Sequence, residues 1–309
     1  MALSPEHKAI AARVSNWGRW GTDDRRGTLN LIDAAAVLRG VAAARQGKVF
    51  SLSIPFDEHG PQTDLSAPGR INPVHKMLAI NMSYTGDPGD SAFSDDRIEM
   101  GLQAATQWDA LGHCSYDGFL YNGVAATTVD EGGAHELGID KIGPIATRGV
   151  LLDVARALGV DRFDDNHAID GDDLEAAARL SGVAIEPGDV VCVRTGQLSY
   201  FYEGDPHRFA DPSPGIAPEA IPWLRDHDVA GCVTDCLTYE PWPKADGGYA
   251  FPTHQINLRD VGLAQGQIWA LDELAADCAA DDQYDFLLCA TPIPFTRAVG
   301  APVAPTAVK

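Results

Sequence analysis

Gly149-Val-Leu-Leu-Asp-Val154 is the stretch that decides the architecture. Its aliphatic residues run together, without the apolar–polar alternation of a strand that has one wet face. A short continuous apolar run between polar punctuation marks a strand covered on both faces. Gly188-Asp-Val-Val-Cys-Val-Arg194, entered through the Pro187-Gly188 turn, repeats the pattern, and residues 229–234 (VAGCVT) and 286–290 (FLLCA) follow it. Between and after these runs, residues 170–181, 218–225 and 271–278 have helical spacing, the first with acidic residues near its start. Buried strands alternating with helices predict an α/β layered fold.

Upstream, residues 33–46 place Ala36, Val37, Gly40, Val41 and Ala44 on one helical stripe, with Asp33 as N-cap and Gly47 as stop. Residues 49–56 (VFSLSIPF) alternate like a half-buried strand. A Gly/Pro-rich stretch spans 59–73, residues 76–82 read as a second strand, and residues 83–96 as a surface loop. No repeat or low-complexity linker interrupts the 309 residues. The chain therefore reads as one domain over 1–309, with a Trp-rich N-terminal extension at about 1–48.

The formal net charge is −21, spread along the chain in small Asp clusters. Such a field repels a phosphate backbone, so neither nucleic acid nor an anionic membrane is expected as a partner. No run reaches the roughly 18 apolar residues that a spanning helix needs. The first residues lack a basic region followed by an apolar stretch, so a cytoplasmic location is expected. The six cysteines form no Cys-x-x-Cys pair and read as reduced, mostly buried thiols.

Gly-x-Gly-x-x-Gly, the P-loop, Gly-x-Ser-x-Gly and His-Glu-x-x-His are all absent, so dinucleotide, nucleotide, serine-hydrolase and zincin readings lack support. Gln103-Ala-Ala-Thr106-Gln107-Trp108-Asp109-Ala-Leu-Gly-His113 stands out instead. If 103–109 is extended, Gln103, Gln107 and Asp109 share a face by the period of two. If a helix follows, Asp109 and His113 share a face too, and the junction converges all four. Oxygen donors with imidazole suit a hard or borderline divalent ion, although such spacing also occurs as ordinary polar surface. Trp108, with Trp17 and Trp20, could wall a site for a ring-bearing substrate or simply pack in the core. His75, after the Pro-rich stretch, could face the pocket or sit on the surface. Glu240 could tether a loop near His254 or be solvated.

The same stretch resembles the cyclase superfamily, which includes bacterial kynurenine formamidases and isatin hydrolases. That family carries His-x-Gly-Thr-His-x-Asp-x-x-x-His, and residues 103–113 fit the frame without a gap, matching Thr106, Asp109 and His113. Gln replaces His at 103 and 107. The resemblance continues through Arg148–Asp153, Gly188–Gly196, Thr234-Asp235 with Glu240, Phe251-Pro-Thr-His254 and Gly300-Ala-Pro302-Val. The block from Asn16 to Asn30, with Tyr121-Asn122-Gly123, resembles a longer-chain subgroup.

The resemblance implies a swivelling β/β/α-type fold, with a central mixed, partly barrel-like sheet flanked by helices. It implies Asp109 and His254 as metal ligands and His113 as general acid/base. Gln103 and Gln107 stand where relatives place metal-binding His, and Gln267 where they place Glu. One divalent ion is the implied cofactor; Mn²⁺ is favoured over Zn²⁺ because amide oxygens suit a harder ion. The implied function is a metal-dependent hydrolase that opens an amide, lactam or lactone bond of a small cyclic or aromatic substrate. A non-hydrolytic cyclase or dehydratase on the same site and a metal-free binding protein are the alternatives. A homodimer or homotetramer is the implied assembly.

Overall fold

The structure is a computed structural model that describes residues 3–243 and 251–309. The four buried runs all form strands, Ala146–Asp153, Val190–Arg194, Gly231–Thr234 and Asp285–Cys289, and they lie side by side. The first three are parallel, while Asp285–Cys289 pairs antiparallel with Ala146–Asp153. Ala264–Gln267 extends the parallel set beyond Gly231–Thr234. Gln107–Asp109 and then Gly300–Pro302 close that side antiparallel, and Thr306–Val308 and Val49–Ser51 close the other. The result is a nine-stranded mixed sheet curled into a half-barrel.

Both faces of the sheet are dry, which is why its central strands lack alternation. Leu151, Val190, Cys192 and Val233 pack inward with Trp108, Trp269 and Phe286. Val150, Leu152, Val191, Val193 and Cys232 pack outward against Leu174 and Ala177 of helix Gly171–Ser181, and against Ile221 and Leu224 of helix Ile221–Asp226. Asp170 caps Gly171–Ser181 in a reciprocal capping box with Asp173, and Gly182 ends it in the left-handed conformation.

Helix Ala34–Ala43 starts where expected, with the Asp33 carboxylate accepting from the Ala36 N–H at 2.9 Å. Its buried face differs from the expected stripe: Ala36, Gly40 and Ala43 are buried, whereas Val41 is exposed. Gly40 sets this orientation, because a Cβ there would lie 2.6 Å from the Thr147 carbonyl carbon and oxygen. Only a bare residue lets helix and strand backbones approach so closely.

Two expectations need correction. The surface loop expected over 83–96 narrows to 84–91, because Val74–Ser83 and Ala92–Glu99 pair as an antiparallel ribbon on either side of it. Both faces of that ribbon are mostly exposed, so it carries no periodic apolar signal. The strand expected over 49–56 shrinks to Val49–Ser51, beyond which Leu52 and Ile54 remain buried in irregular chain.

Gly40→Ala is expected to lower the unfolding free energy by about 1–3 kcal/mol through overpacking against Thr147. Chemical denaturation checks this, and an unchanged midpoint would show that the helix sits looser than described.

Candidate active site

Gln107–Asp109 pairs with Ala264–Gln267, placing Gln107 opposite Gln267 and Trp108 opposite Gly266. Side chains leave a strand on alternate faces. Gln107 and Asp109 therefore share a face with Gln265 and Gln267, and Trp108 points the other way. A hydrogen-bond network joins the shared face. The Gln107 amide donates to Gln267 Oε1, while Gln267 Nε2 donates to Asp109 Oδ2 at 2.8 Å and lies 3.1 Å from His254 Nε2. Gln265 Nε2 donates to the same Asp109 oxygen at 3.0 Å.

The chain after Asp109 makes a tight turn instead of the expected helix, with the His113 N–H donating to the Ala110 carbonyl at 2.9 Å. The turn still brings His113 Nε2 to 4.0 Å from Asp109 Oδ1. His254 arrives from the short helix Pro252–Gln255. Its Nδ1 lies 2.6 Å from Glu240 Oε1, and the backbone N–H groups of Thr253 and His254 donate to the same carboxylate at 3.3 and 3.1 Å. A carboxylate that takes Nδ1–H leaves the lone pair on Nε2. That nitrogen stands 3.9 Å from Asp109 Oδ2. Two remote stretches of chain thus meet at one carboxylate.

Asp109 Oδ1 and Gln107 Oε1 are buried and have no hydrogen-bond partner among the described residues. An unmatched buried acceptor costs about 1–3 kcal/mol, so the pair calls for a cation or a donor. Among the described residues, no group of three or more His, Cys, Asp or Glu is placed to hold a metal ion. Carboxylate and imidazole alone therefore make no site, and an amide oxygen has to complete one. Carboxylate oxygen, amide oxygen and neighbouring imidazole together fit a single hard or borderline divalent ion.

This floor opens into a cavity of about 420 Å³. Leu65, Pro68, Leu237, Trp242 and Phe251 give it apolar walls, and Arg70 also lines it. Burial pushes the His113 imidazole below its ordinary pKa against the upward pull of Asp109, with His254 and Arg70 adding to the fall. Burial raises the Cys114 thiol beyond the physiological range, and the Asp109 and Glu240 charges add to it. Cys114 is no nucleophile at neutral pH.

Five residues considered for the site stand elsewhere or act differently. Gln103 does not line the cavity; residues 102–106 turn before the strand begins, and its Nε2 packs against Gly300 without a partner. Gln267 lies at the centre, its amide donating to Asp109 and its oxygen accepting from Gln107. Trp108 is fully buried in the core, edge-on to Trp269 at 5.1 Å, with its indole N–H donating to the Ala290 carbonyl at 2.8 Å. His75 sits exposed on the ribbon, with Nε2 2.9 Å from Asp96 Oδ2. Trp17 packs under Arg259, outside the cavity. The sequence reading missed Arg70 and Gln265. Gln265 was within reach, since it stands one strand period from Gln267, whereas Arg70 in its Pro/Gly-rich loop carried no signal.

A family model described as "Putative cyclase" matches residues 50–241. A crystal structure titled as a novel cyclase is 38% identical, with a TM-score of 0.87, and the match covers 96% of this chain and 100% of that one. The chain belongs to the cyclase family. More distant structures share the fold. Isatin hydrolase A from Ralstonia solanacearum has a TM-score of 0.60 at 20% identity, covering 88% of this chain and 95% of its own. A predicted metal-dependent hydrolase from Bacillus stearothermophilus has a TM-score of 0.52 at 18% identity, covering 84% and 97%. No curated protein matches the chain. Among the described residues no helix is long and apolar enough to cross a membrane.

Trp108→Phe separates core from cavity wall. It strands the Ala290 carbonyl and is expected to cost about 1–3 kcal/mol of stability with KM unchanged. A raised KM at full stability would return Trp108 to the substrate's surroundings.

Proposed function

We propose that the chain hydrolyses an amide, lactam or lactone bond in a small cyclic or aromatic substrate, using a water activated at one divalent ion. The observation that carries this reading is the pair of unmatched buried oxygens, Asp109 Oδ1 and Gln107 Oε1, beside the His113 imidazole on the floor of an apolar-walled cavity. Asp109 and Gln107 would hold the ion, with His254 adjoining across the carboxylate. Such an ion lowers the pKa of a bound water and polarises a carbonyl. Mn²⁺ suits this oxygen-rich donor set better than Zn²⁺.

The protein's own groups do the rest. His113, kept neutral by burial, takes the proton of the attacking water and returns it to the leaving nitrogen or oxygen. Asp109 is a poor candidate base, because two amide N–H groups occupy one of its oxygens and the other would hold the ion. Glu240 fixes the His254 ring so that Nε2 faces the carboxylate. The apolar walls exclude bulk water and receive the ring.

His113→Gln is expected to lower kcat by about 10²–10⁴-fold while bound metal, measured by elemental analysis, stays at the wild-type level. Asp109→Asn should lose both metal and turnover. Reaction in ¹⁸O-labelled water should place one label in the product carboxylate. Unlabelled product would favour cyclase or dehydratase chemistry at the same site, and full activity in His113→Gln would remove it as the base.

A further inference from the structure

We infer that Arg70 is a specificity-determining residue that binds the carboxylate of the ligand in this cavity, and that the ligands are aromatic or cyclic acids. The inference deepens the hydrolase reading and rests on it for the identity of the site.

Arg70 lines the cavity, yet among the described residues no hydrogen bond or ion pair engages its guanidinium. Two other arginines beside the sheet are paired: Arg148 grips Asp189, and Arg194 grips Asp153 and Asp272. In a chain with 44 acidic and 23 basic residues, a half-buried arginine without a carboxylate partner is out of place. Burial lowers its pKa, opposed only by the charge of Asp109. A guanidinium does not lose its proton on that account, so the charge stays and seeks an anion.

The surroundings are built to present it. Gln62 and Asn72 close the loop ends, the Gln62 N–H donating to Asn72 Oδ1 at 2.9 Å and Asn72 Nδ2 to the Gln62 carbonyl at 3.0 Å. Gln62 Nε2 pins that loop to the Ala104 carbonyl at 2.8 Å, just before the site strand. Gly101 has no side chain where the Arg70 stem passes, and a Cβ there would meet Arg70 Cγ at 2.9 Å. The guanidinium is thus aimed by a pinned loop over a bare glycine.

The chemistry supplies the anion. Hydrolysis of an amide, lactam or lactone leaves a carboxylate on the former carbonyl carbon, with the attacking water's oxygen in it and its protons passed through His113 to the leaving group and solvent. An ion held by Asp109 and Gln107 would draw that carboxylate to the cavity floor, where Arg70, lining the same cavity, offers it a second cationic partner. A planar guanidinium takes a carboxylate through two parallel N–H···O bonds, which a neutral isostere of the same ring cannot offer.

Benzoate and benzamide, with the same ring and different charge, are the probes, titrated calorimetrically into the full-length protein. Wild type is expected to prefer benzoate by about tenfold or more. Arg70→Gln should erase the preference, Arg70→Lys should keep part of it, and His75→Gln, on the exposed ribbon, should keep all of it. Equal or undetectable binding of the two by wild type overturns the inference, as does a preference that survives Arg70→Gln. Should Arg70→Gln not fold, the wild-type pair and Arg70→Lys still decide. Because no turnover is read, a benzoate preference in a protein that hydrolyses nothing would sink the hydrolase reading and leave the role of Arg70 standing.

Discussion

Everything at the site hangs on a buried carboxylate whose two oxygens have unlike surroundings. Oδ2 of Asp109 takes amide N–H groups from Gln265 and Gln267, while Oδ1 has no partner among the described residues. Two amide donors satisfy one oxygen and leave the other open to a cation or a further donor. The antiparallel register of Gln107–Asp109 against Ala264–Gln267 is what puts those donors there, since a slip of one residue would turn them to the opposite face.

The amides also set the polarity of the network. Gln267 spends its oxygen on Gln107 and its nitrogen on Asp109 and His254, and the Gln107 oxygen has no hydrogen-bond partner among the described residues. Gln107, Gln265 and Gln267 are uncharged and donate as well as accept, so this face of the floor is less negative than carboxylates at those positions would make it. Glu240 keeps its own charge occupied with His254 and two backbone N–H groups. The acidic exterior does not extend into the cavity.

Much of this was legible before any coordinates. Central strands covered on both faces announce themselves as unbroken apolar runs, and 149–154, 188–194 and 229–234 fell into parallel register as that signal implies. The ribbon was legible only in part: 76–82 reads as a strand, but its partner Ala92–Glu99 buries neither face and has no apolar pattern to read. At the site, period two correctly paired Gln107 with Asp109, and followed strictly it also sends Trp108 to the core. Gln103 failed because the period was extended into residues that turn. His113 arrived by a turn where a helix was expected, since both can close a separation of four residues. Arg70 was invisible because its importance lies in a missing partner, and absence of a contact leaves no trace in a sequence.

Crystals soaked in Mn²⁺ and measured at the manganese absorption edge test the central claim most directly. One anomalous peak is predicted in the cavity, within the roughly 2.1–2.3 Å reach of oxygen ligands from both Asp109 Oδ1 and Gln107 Oε1. A cavity without a peak at saturating metal, or an ion held by other side chains, would contradict the account.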